Sequence, residues 1–64
     1  MKMTVINLLG AYIGVYNDTS VSIWDKEYMV IWEGKREMLP EWIENRSVIA
    51  FDSCINNALT ITIA

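Results

Sequence analysis

A single proline, Pro40, restricts this chain more than any other residue. Its ring holds φ near the helical value and it has no N–H to donate, so it is tolerated at the first position of a helix but not further in. Leu39 before it is pushed to extended backbone. Glu41 then falls in the first turn, where a carboxylate meets the positive end of the helix dipole. Trp42 and Ile43 supply an apolar side, and Asn45 tolerates the left-handed geometry that stops a helix. These constraints predict a short helical turn over about residues 40–45, bridging two longer patterned stretches.

On both sides of this bridge the hydrophobic pattern has a period of two. Val21 and Ile23 share one face, while Ser20, Ser22 and Trp24 share the other. Asp25-Lys26-Glu27 breaks the run before Tyr28-Met29-Val30-Ile31-Trp32, which predicts a hairpin. The loop lacks glycine, so two- and three-residue turns both remain open. A three-residue loop segregates the side chains best. Trp24 then faces Tyr28, Trp32 joins them on one side, and Val21, Ile23, Met29 and Ile31 make a purely aliphatic opposite face. After the bridge, Ser47 to Asp52 reads as a third strand and Ser53 to Asn57 as a loop of turn formers. The last strand alternates cleanly, with Leu59, Ile61 and Ile63 on one side and Ala58, Thr60 and Thr62 on the other.

Upstream, Thr4 can cap a helix whose apolar face is Val5, Leu8, Leu9, Tyr12 and Ile13. Gly10 and the β-branched residues weaken that helix, and a strand through residues 11–16 competes with it. The helix is favoured over about 4–13, with Gly14 ending it and Asn17-Asp18-Thr19 turning the chain. The expected fold is therefore α+β. It is one domain with a four-stranded antiparallel sheet of two hairpins (strands about 20–25, 28–33, 47–52 and 58–63). A short helical turn joins the hairpins, and the N-terminal helix packs on one face.

A chain of 64 residues buries only about 60% of its unfolded surface and is marginal alone. One cysteine excludes an internal disulfide, and with no histidine a lone cysteine builds no zinc site. Oligomerisation is the remaining support. The chain is 53% hydrophobic with three Trp and three Tyr, more than so small a core needs, so a homodimer or higher homo-oligomer is expected. The net charge is −3, without acidic or basic runs, which argues against a strong phosphate-binding surface. No apolar run approaches the roughly 18 residues of a membrane span. Asn7 interrupts the N-terminal apolar stretch, so it reads as folded chain rather than a signal peptide, and a cytoplasmic location follows.

Gly34-Lys35, Leu39-Pro40, Ile43, Arg46 and Val48, followed by a closing strand on Leu59-Thr60-Ile61, resemble a recurrent pattern. It belongs to a family of small uncharacterised proteins from phages and prophages of Gram-positive bacteria. In these, a short helix and a hairpin lead into a Gly-Lys, Ile-Pro-Glu-Leu-Leu, Arg-x-Val segment and a last hairpin. The likeness covers most of the chain in layout but only a handful of positions in identity. Trp42 and the fuller aromatic set of the first hairpin depart from it. The resemblance implies a setting, the cytoplasm of a bacterial host, rather than a chemistry. Some phage proteins of comparable size inhibit defence nucleases, CRISPR nucleases among them.

Three function classes can be weighed against the residues. Catalysis lacks its commonest general base, histidine. Cys54 has no local base or cation to activate it and reads as an inert thiol. The carboxylates are scattered singly, and Gly10 and Gly14 form no phosphate loop. No enzyme, no cofactor and no metal is the expectation. Trp24, Tyr28 and Trp32 on one sheet face suit base stacking by a single-stranded nucleic-acid binder, but Lys26, Lys35, Arg36 and Arg46 make no basic groove on an acidic chain. The ordinary roles of these residues are core or subunit packing for the aromatics, a solvated pair for Lys35-Arg36, and for Arg46 helix capping or pairing with Glu44 or Glu41. An aromatic patch edged by charge is also what a protein interface presents. The reading is a small non-enzymatic accessory protein that binds a host or defence protein through Trp24, Tyr28, Trp32, Lys35 and Arg36. The alternative is a single-stranded nucleic-acid-binding oligomer.

Overall fold

The computed structural model describes residues 3–12, 14–52 and 55–64. In chain order the elements are α1 (Val5–Ala11), β1 (Ser20–Trp24), β2 (Val30–Lys35), a 3-10 turn (Arg36–Met38), α2 (Glu41–Glu44), β3 (Val48–Phe51) and β4 (Ala58–Ile63). Thr4 caps α1: its hydroxyl accepts from the Asn7 N–H at 3.3 Å and donates to the Asn7 side-chain oxygen at 2.7 Å. The helix presents Val5, Leu8 and Leu9 to the core. It stops at Ala11, sooner than expected, because Tyr12 is already extended while its N–H still bonds the Leu8 carbonyl. Gly14, at φ +104, lies beyond that end, and Ile13 is outside the described residues.

The sheet has four strands in the order β2-β1-β4-β3. Each hairpin is antiparallel, as expected, but β1 and β4 run parallel at the centre, so the sheet is mixed rather than wholly antiparallel. The reason is the bridge. β2 and β3 occupy opposite edges and run the same way, so residues 36–47 must cross over the sheet between them, as parallel strands require. That crossover buries Ile43, which joins Val5, Leu8 and Leu9 of α1 over Val21 and Ile23 of β1 and Leu59, Ile61 and Ile63 of β4. Both helices therefore cover the same face. The other face, carrying Ser22, Trp24, Thr60 and Thr62, has no layer over it among the described residues.

Several local expectations shift. Pro40 is the N-cap of α2 rather than its first residue, with ψ 146. Asn45 ends the helix at φ −96, not in the left-handed region. Of the two apolar residues of α2, only Ile43 is buried, and Trp42 faces solvent. Arg46 donates to the Ala64 carbonyl at 2.6 Å, tying α2 to the end of β4 rather than to a glutamate. The β3–β4 connection tightens at Ile55-Asn56-Asn57-Ala58, where Asn56 and Asn57 have φ 54 and 58 and the flanking residues exchange both backbone bonds. Two consecutive left-handed residues make a type I′ turn, for which asparagine is well suited. Ser53 and Cys54, and with them the expectation of an inert thiol, lie outside the described residues.

Candidate binding face

The β1–β2 hairpin decides where the aromatic residues point. Asp25 closes its loop: its N–H donates to the Met29 carbonyl at 2.9 Å. Its carboxylate accepts from the N–H groups of Glu27 and Met29 at 2.8 and 3.0 Å. The loop is thus Lys26-Glu27-Tyr28. It has the expected three residues but lies one position further along, with Tyr28 as its left-handed member at φ 64. A second irregularity follows. Ile23 pairs with Trp32 and Trp24 with Val30, so β2 carries a bulge at Ile31. Together these start β2 at Val30 instead of residue 28 and turn Trp32 to the other side of the sheet.

The predicted binding set is consequently divided. Trp32 lies on the helix-covered face, half-buried against the core, where its ring covers Gly34. A Cβ at Gly34 would stand 2.9 Å from the Trp32 ring, so this close approach needs glycine. Lys35 and Arg36 lie at the far end of β2 from the hairpin loop. There Lys35 pairs with Ser20, and the Arg36 N–H donates to the Thr19 carbonyl at 2.8 Å. Trp24 and Tyr28 do not pair across the hairpin as expected, since Trp24 stands opposite Val30 and Tyr28 lies in the loop.

Both line a concavity of about 400 Å³ on the open face, together with Asp52, Thr60 and Thr62. Parallel pairing sets Thr62 beside Trp24 and Thr60 beside Ser22. The Asp52 N–H donates to the Thr60 carbonyl at 3.0 Å, which brings its carboxylate to the same place. Apolar residues edge this end of the face. Val30 and Ile31 stand on β2, and on β3 Ala50 pairs with Thr62 beside a second bulge at Ile49. Val30, Ile31 and Ile49 are 47, 36 and 55% exposed. The alternation of β4 made Thr60 and Thr62 legible as a polar face. Asp52 carried no such sign, since what sets its end of the β3–β4 hairpin beside Trp24 is the parallel pairing of β1 with β4.

Two local costs converge here. A tyrosine at positive φ is strained, and this one is 80% exposed, so no burial compensates. The Trp24 indole N–H is buried without an acceptor among the described residues, which costs about 1–3 kcal/mol. No three metal-ligating side chains gather among the described residues, and no helix is long and apolar enough to cross a membrane. Compared with models of protein families, with curated proteins and with solved structures, the chain matches none.

Proposed function

We propose that this chain is a small non-enzymatic accessory protein of phage or prophage setting that acts by binding another protein through the open face of its sheet. The observation that carries the reading is the convergence at Trp24 and Tyr28. Two residues held at a local cost, beside a concavity and exposed apolar neighbours, are better accounted for by a partner than by the fold. The phage setting rests on the resemblance described above, and a bacterial defence nuclease of CRISPR type is the partner class that setting suggests. A second copy of the chain is the other partner, since a sheet face without a covering layer among the described residues, edged by exposed Val30, Ile31 and Ile49, is also a route to a homodimer. The single-stranded nucleic-acid reading loses its platform, because Trp32 stands on the opposite face from Trp24.

Two measurements test this. Sedimentation at micromolar concentration is expected to show a dimer or higher species. Replacing Trp24→Thr together with Tyr28→Gly is expected to abolish partner capture from host extract while leaving the circular dichroism spectrum unchanged. Undiminished capture by the double variant would remove the open face as the working surface.

A further inference from the structure

The lining of the concavity specifies the chemistry of its guest. Two aromatic residues, Trp24 and Tyr28, one carboxylate, Asp52, and two hydroxyls, Thr60 and Thr62, surround it. The faces of aromatic rings attract cations through their quadrupole, and a neighbouring carboxylate adds a full opposite charge. Threonine hydroxyls accept hydrogen bonds from N–H donors. The buried N–H edge of Trp24 is turned away from solvent, so what its half-buried indole offers to a guest is ring carbon. Tyr28, the last residue of the loop and 80% exposed, supplies a second ring to the lining. Among the described residues no lysine or arginine lines the space, so an anion would meet Asp52 without compensation. A wholly apolar guest would strip water from the carboxylate and both hydroxyls without replacing it. The net charge of −3 adds a long-range field of the same sign.

We infer that the concavity formed by Trp24, Tyr28, Asp52, Thr60 and Thr62 receives a lysine or arginine side chain of the protein partner. This rests on the open face being a protein-binding surface, and it adds that the partner presents a basic residue at its centre.

The experiment is an NMR titration of the isotope-labelled chain with n-butylammonium chloride and with n-butylguanidinium chloride, which stand for the two side chains. n-Butanol and sodium chloride at matched concentrations are the controls. The expected result is a saturable shift of the Trp24 indole and the Thr60 and Thr62 amides with at least one cation, absent with both controls. The cation that saturates at lower concentration identifies the preferred residue. Asp52→Asn and Tyr28→Gly should each weaken that binding by about threefold to tenfold, with the rest of the spectrum in place. An equal response to butanol, a response reproduced by sodium chloride, no response to either cation, or undiminished binding by Asp52→Asn would each overturn the assignment. The two readings fail separately. If the cations do not bind but the Trp24→Thr, Tyr28→Gly variant still loses partner capture, the face stands and its cation preference falls. If the cations bind but that variant captures its partner normally, the pocket stands and the face reading falls.

Discussion

At Gly34 the absence of a side chain is used directly, because the ring of Trp32 occupies the space a Cβ would need. Gly34→Ala must displace that ring from its half-buried position against Ile23 and the core. We expect a loss of about 1–3 kcal/mol in chemical denaturation and a shifted Trp32 indole resonance. Thr19 offers a second residue-level test. It is wholly buried, and its hydroxyl accepts from the Tyr16 N–H at 2.8 Å while donating to the Asn57 side-chain oxygen at 2.6 Å. Thr19→Val keeps the shape but orphans both partners, and should lower the unfolding free energy by about 1–3 kcal/mol. The sequence marked Thr19 only as part of a turn. Its role as the junction between the start of β1 and the β3–β4 turn depends on contacts with Asn57, distant in the chain, which local pattern does not carry.

The type I′ turn at Asn56-Asn57 separates local preference from tertiary contact. Preference favours glycine at the second central position, so Asn57→Gly ought to stabilise the turn. The hydrogen bond from Thr19 to the Asn57 side chain reverses that expectation. Asn57→Gly should cost about 1 kcal/mol while Asn56→Gly is neutral or mildly stabilising, as thermal unfolding of the two variants would show. Among the elements, β4 and β1 were legible because both are central strands with one face on the core, and their alternation records that directly. α1 was legible through Thr4 and the spacing of Val5, Leu8 and Leu9. β2 was not, because an edge strand that begins Val30, Ile31 and Trp32 is apolar on both sides. With no polarity contrast, nothing in the residues marks the bulge at Ile31. That one extra residue put Trp32 over the core and broke the aromatic row on which part of the site expectation stood. The parallel pairing of β1 with β4 was equally silent, since each strand shows the same alternation whichever way its neighbour runs.

The molecule as a whole is an asymmetric sandwich, with α1, α2 and the crossover all on one face of the sheet. Its radius of gyration of 10.4 Å is close to the about 10.7 Å expected of a compact chain this long. The fold is therefore closed around its aliphatic core, and the apolar residues in excess of that core are spread over the surface, with Val30, Ile31, Ile49 and Phe51 on the edge strands and Met3, Ile6, Tyr16, Met38, Trp42 and Ile55 elsewhere. Both edge strands carry bulges, at Ile31 and Ile49, a feature that discourages indiscriminate edge-to-edge pairing. What remains available is the face itself. Two residues at its hairpin end carry local costs, a positive φ at Tyr28 and a buried indole N–H without an acceptor at Trp24, so the fold should not need them. Urea unfolding of the Trp24→Thr, Tyr28→Gly double variant tests this most directly. The expected result is a midpoint equal to or above that of the parent, with a gain of up to about 1 kcal/mol from relieving the positive φ and the buried indole N–H. A loss of about 2 kcal/mol or more would show that these residues serve the fold, and would contradict the account.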